Sequence, residues 1–170
     1  YAGSTLCSAM FQNEAGCVAV DHWGEFGGKI DFTKNIATFL PEDKKIHIYD
    51  GDCWSFPKEK NPLNKFNVYL YDGDHSEESQ YKAMEYFYDT LDDEAIVIVD
   101  DFNWTEVQKG TKSAIKDLNI PIVYEKTILS DKPDDADGWW NGIYIFVINK
   151  KSNTIYPDWM EPKICPPSYA

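Results

Sequence analysis

Long apolar runs are missing from this chain. The longest uninterrupted aliphatic stretch, Ala95 to Val99, is five residues, against the roughly 20 that a bilayer span requires. Positive charge is scarce as well: 16 lysines and arginines face 29 acids, a net charge of −13. That balance argues against a nucleic-acid groove or an anionic membrane surface as the main partner, because both need clustered cations. Cys7, Cys17, Cys53 and Cys165 form no CxxC pair and only three histidines are present, so a structural zinc site has no ligand set. No signal peptide, internal repeat or low-complexity segment is visible. What the chain does have is 43% hydrophobic and 15% aromatic residues over 170 positions. This suffices for the core of one domain and removes the disordered and fibrous classes. Four cysteines in a chain able to build its own core point to reduced thiols and a reducing cytoplasm.

Short β-rich runs alternate with helical stretches, the order of an α/β protein. Ser4 to Asn13 reads as a helix capped by Ser4 or Thr5, with Gly16 beyond its end. Strands are expected at Cys17 to Val20, Lys45 to Tyr49, Asn67 to Tyr71, Ala95 to Val99, Ile120 to Leu129 and Gly142 to Asn149. Helices are expected at Phe32 to Leu40, Ser76 to Leu91 and Thr105 to Leu118. Ala95 to Val99 is apolar at every position, the pattern of a strand covered on both faces. The expected domain covers 1–149, and the proline-containing stretch 150–170 is a surface tail.

Four successive strands end in acids: Asp21, Asp50 with Asp52, Asp72 with Asp74, and Asp100 with Asp101. Aspartate is a common turn former, which accounts for any one of these positions. In open α/β sheets, however, ligands sit outside the carboxyl ends of the strands. Carboxylates converging within about 4 Å repel by roughly 4 kcal/mol per pair at an effective dielectric of 20, so such a cluster calls for a cation, a proton or a basic partner. Oxygen-only ligands favour magnesium, calcium or manganese. Asp100 and Asp101 can share an ion only where the backbone leaves strand geometry, since neighbouring strand residues face opposite ways.

Tyr1-Ala2-Gly3-Ser4-Thr5 opening a helix, Asp21 after the next strand, Asp72-Gly73-Asp74-His75 and Ile96-Val97-Ile98-Val99-Asp100-Asp101 together resemble class I S-adenosylmethionine-dependent methyltransferases. The likeness is to the O-methyltransferases of the catechol and macrocin type. It implies a Rossmann-like three-layer α/β sandwich, mostly parallel, with an antiparallel last strand. The family's first strand and opening glycines have no counterpart here, which implies an upstream segment. Position by position, Tyr1, Gly3 and Thr5 would approach the methionine part of the cofactor. Asp21, with His22 beside it, would hold the ribose, and Asp52, Cys53 and Trp54 would border the adenine. Asp72, Asp100 and Asp101 would hold a divalent cation, magnesium by expectation, with Asp72, Asp74 and His75 as the catalytic set.

The family's catalytic lysine has no match near Asp74 and His75. The implied acceptor is a hydroxyl on a small molecule, with no nucleic acid or membrane partner and with homo-oligomerisation left open. Trp139 and Trp140 could wall an acceptor or cover the core, Trp23 and Gly24 to Gly28 could close over a cofactor or make a turn, and Trp104 could shape an entrance. His47, between two isoleucines, reads as structural. Two other readings remain: a magnesium-dependent haloacid-dehalogenase-like phosphohydrolase, and a non-catalytic binding protein of methyltransferase fold.

Overall fold

A computed structural model describes residues 16–24, 27–130 and 140–152. Tyr1, Gly3, Thr5, the helix expected at 4–13, Trp139 and the tail beyond 152 therefore lie outside the described residues. The chain divides into two compact units, 1–64 and 65–170.

In the first unit β1 (Cys17–Asp21) and β2 (Ile46–Asp50) pair in parallel, with Asp21 opposite Asp50 at their carboxyl ends. Between them in sequence runs α1 (Lys29–Phe39). It begins three residues before the expected Phe32, because Gly28 takes the left-handed conformation at its N-cap, φ 84°, and Asp31 complements the dipole of its first turn. Leu40 is extended, as a residue before proline must be. Phe32 and Phe56 are the buried apolar side chains among the described residues of this unit. Phe32 packs on Trp23 with ring centroids 5.1 Å apart, and Phe56 meets Tyr49 edge-on at 5.6 Å. His47 is exposed.

The second unit holds a four-stranded sheet. β3 (Phe66–Tyr71) runs parallel to β4 (Leu91–Asp100), and β6 (Ile143–Asn149) lies antiparallel between β4 and β5 (Ile122–Ile128). The antiparallel last strand matches expectation: β3, β4 and β5 run in one direction and β6 alone runs against its neighbours, so that of the four described pairings two are parallel and the two that involve β6 are antiparallel. The connecting helices are α2 (Glu77–Phe87) and α3 (Thr105–Asp117). Met84 of α2 and Val107, Ala114 and Ile115 of α3 share one core with Val97, Val99, Tyr144, Phe146 and Ile148 of the sheet.

Ile96 contradicts the expectation that Ala95 to Val99 is covered on both faces, and it continues an exposed apolar face on β3. Val68, Leu70 and Ile96 are 51%, 50% and 40% exposed, so β4 is covered fully on one side only. That strand is also longer than its apolar run: Leu91 to Glu94 join it, with Glu94 opposite Asn149 and Asp93 paired to Lys151 at 2.7 Å. The expected helix to Leu91 accordingly stops at Phe87 and tightens into a 3₁₀ turn, Tyr88–Thr90. Its orphan carbonyls find a cation, since Lys150 Nζ donates to Tyr88 O at 3.0 Å and Leu91 O at 2.7 Å. Lys150 thus ties the residues just after β6 to the end of α2 and the start of β4.

Candidate active site

Register brings the acids of the second unit together. Tyr71 pairs with Val99, so Asp72, the first residue past β3, follows the end of that strand where Asp100 closes β4. Beyond Asp100 the backbone leaves strand geometry: Asp101 is left-handed, φ 55°. Asp100 Oδ1 accepts the Asp101 N–H at 3.0 Å, and the Asp101 carboxylate turns instead to His75, with Oδ2 2.8 Å from Nε2. Side-chain exposure is 33% for His75 and 14% for Asp101. The imidazole rests against Trp104, with centroids 4.6 Å apart.

Asp72, His75 and Asp101 each offer a ligand atom, all within 4.8 Å of one another. Two of the three expected cation ligands are in this group. The third member is His75, and Asp100 lies outside it.

The loops carrying these residues are braced from behind. Gly73 lies against the Tyr71 ring, where a Cβ would come within 2.8 Å. Asp74 Oδ1 accepts the Ser76 N–H at 2.8 Å, and Ser76 Oγ accepts the Ser79 N–H at 3.2 Å, capping α2. Hydrogen bonds from Ser76 hold the Asp74 carboxyl below its usual pKa, with smaller help from Ser79 and His75. Asp74 therefore stabilises a turn, and its carboxylate is a poor proton acceptor. The buried Gln80 donates from Nε2 to Asp74 O at 3.1 Å and accepts from Thr111 Oγ1 at 3.4 Å, which ties the loop before α2 to α3. The two helices approach at Gly110, where a Cβ would overlap the Glu77 carbonyl oxygen and sit 2.7 Å from Gln80 Cβ.

In the first unit the strand-end residues are exposed and form local turns. Asp21 Oδ1 accepts the Trp23 N–H at 2.7 Å, and His22 Nδ1 accepts the Gly24 N–H at 2.8 Å. Asp50 is paired to Lys29. Asp52 Oδ1 accepts the Trp54 N–H at 2.9 Å and starts a short 3₁₀ turn. Burial pushes the Cys53 thiol up to about 11, with the charge of Asp52 adding to it, and burial alone does the same to Cys17. Both are free thiols and neither is an activated nucleophile. Sequence reasoning overlooked Gln80, Asn103 and Thr111. These are neutral side chains whose partners lie 6 to 31 positions away, and no local pattern marks them.

No family model matches the chain, and no curated protein matches it. Among solved structures it is similar to one described as "a putative SAM-dependent methyltransferase from Streptococcus mutans", with a TM-score of 0.54 and 11% identity. The match covers 84% of this chain but 40% of that one. The chain thus shares an α/β fold with that protein while spanning less than half its length. No helix among the described residues is long and apolar enough to cross a membrane.

Proposed function

We propose that this chain is the cofactor-binding part of an S-adenosylmethionine-dependent methyltransferase with a Rossmann-like three-layer sheet, acting on a hydroxyl of a small molecule with help from a divalent cation. The observation that carries the reading is the convergence of Asp72, His75 and Asp101 at the carboxyl ends of two neighbouring parallel strands, where open α/β sheets bind ligands. The fold likeness supports the choice of methyl donor.

The donor set fits a cation. A spacing of 2.8 Å between Asp101 Oδ2 and His75 Nε2 is near that of adjacent ligands around an octahedral ion with bonds of about 2.1 Å. An imidazole beside two carboxylates favours manganese or iron over the magnesium expected from oxygen ligands alone. Asp72, Asp101 and His75 would hold the ion. When bound, it would lower the pKa of the acceptor hydroxyl and orient it. Asp21, exposed at the end of β1 with one oxygen engaged by Trp23, is the residue that would accept the ribose hydroxyls. In the reaction the sulfonium–methyl bond breaks as the new oxygen–methyl bond forms, and the hydroxyl proton leaves to solvent.

Calorimetry of the full chain with S-adenosylhomocysteine and with Mn²⁺ tests the reading. Cofactor at about 100 times its dissociation constant should stabilise the fold by roughly 2.7 kcal/mol. Saturable Mn²⁺ binding lost in Asp72→Ala supports the site. Absence of both signals rejects the proposal.

A further inference from the structure

Asn103 lies two residues beyond Asp101 and joins three separate stretches of chain. Its Nδ2 donates to Ser130 O at 2.8 Å while its Oδ1 accepts the Ser130 N–H at 3.1 Å. Its own N–H donates to Asn141 O at 2.7 Å, and the preceding Phe102 N–H donates to Gly142 O at 3.1 Å. The carboxamide therefore pairs with Ser130 much as a neighbouring strand would, at a level where β5 has ended and β6 has not begun. Gly142, φ 76°, makes room: a Cβ there would overlap Asn103 Oδ1 and lie 3.0 Å from Ile128 O. On the other side, Gln108 Nε2 donates to Phe102 O at 2.8 Å.

Asp101 holds a left-handed backbone that a residue with a side chain keeps only where its surroundings over-determine it. Upstream the determinant is Asp100 Oδ1, and within the turn it is the Trp104 N–H donating to Asp101 O at 3.0 Å. Downstream it is the Phe102–Asn103 clamp on the ends of β5 and β6.

We propose that Asn103 is a positioning residue for Asp101: by pinning the backbone after it to Ser130 and Asn141, it holds Asp101 in the conformation that turns its carboxylate onto His75. The inference deepens the metal-assisted reading and rests on it only for its effect on cation affinity, since the contact between Asp101 and His75 exists without an ion.

The test compares full-length wild type with Asn103→Ala, Gly142→Ala, Asp101→Ala and, as a control, Asn149→Ala, which breaks a bond to Glu94 at the far end of β4. The first readout is the His75 side-chain ¹H–¹⁵N correlation at fixed pH without metal. Asp101→Ala should move it, Asn103→Ala and Gly142→Ala should move it in the same direction, and Asn149→Ala should leave it in place. The second readout is the Mn²⁺ dissociation constant, expected to rise about tenfold in Asn103→Ala and Gly142→Ala and to stay unchanged in the control. A folded Asn103→Ala protein with the wild-type His75 signal overturns the inference. If Asn103→Ala does not fold, Gly142→Ala decides, because it displaces the carboxamide without removing it. Wild type that binds no Mn²⁺ while the His75 signal still shifts rejects the metal site and leaves the positioning role standing.

Discussion

The same sequence signal, an aspartate at the carboxyl end of a parallel strand, has two different outcomes in the two halves of this protein. In 1–64, Asp21 and Asp50 sit side by side, exposed, one folded into a turn with Trp23 and the other paired with Lys29. In 65–170, Asp72 and Asp101 meet His75 in a half-buried group. The difference lies behind the acids. Among the described residues of 1–64 the buried apolar side chains are Phe32 and Phe56, and α1 exposes Ile30 and Phe39. The loops after β3 and β4 lead directly into α2 and α3, whose close approach at Gly110 and whose Gln80–Thr111 bond fix one loop relative to the other. In 65–170 the strand-end acids are thus followed by helices that are locked to one another.

The contrast can be broken most forcefully at the cores. Phe146→Ala removes a side chain with no exposure and should cost about 3–5 kcal/mol. Phe39→Ala, at 60% exposed, should stay within about 0.5 kcal/mol. Urea midpoints with unchanged slopes would check both. Gly110→Ala forces α2 and α3 apart and should cost about 1–3 kcal/mol while weakening Mn²⁺ binding. A variant that lost stability but kept full affinity would show that the helix contact does not set the site.

Capping comes next. Ser76→Ala should cost about 1 kcal/mol, visible as a lower Tm. Smallest is the surface pair: Lys29→Ala, with both partners about half exposed, should change stability by less than about 1 kcal/mol, and less still in high salt.

Acid pH sharpens the comparison further. Hydrogen bonds from Ser76 hold the Asp74 carboxyl below its ordinary value, so the folded state binds fewer protons than the unfolded chain near that value. Its contribution is fully present above the unfolded pKa and is lost as pH falls through the lower, folded one. Asp74→Asn should therefore flatten the stability loss below about pH 4, as read by Tm against pH. An unchanged acid limb would mean that the Ser76 hydrogen bonds do not favour the ionised form.

How much of this could be read beforehand follows from the range of the forces involved. Strand ends were legible because apolar runs stop at aspartates, and α3 was legible from the spacing of Val107, Thr111, Ala114 and Ile115. The first strand residues of β4 were not, because Asp92, Asp93 and Glu94 are poor strand formers. Asn149 and Lys151 make them tolerable there, and both are distant in sequence. The exposure of Ile96 was not legible because an all-apolar strand looks the same whether one or both of its faces are covered. In the site, the acids were visible but their grouping was not. Whether Asp100 or His75 joins Asp72 and Asp101 depends on a single backbone inversion at Asp101, and that inversion is held by contacts to Asn141, Gly142 and Ser130.

The most direct measurement is Mn²⁺ titration of His75→Ala and Asp100→Ala beside wild type. A cation held by Asp72, His75 and Asp101 implies at least a tenfold loss of affinity in His75→Ala and near wild-type binding in Asp100→Ala. Loss in Asp100→Ala with full affinity in His75→Ala would contradict it.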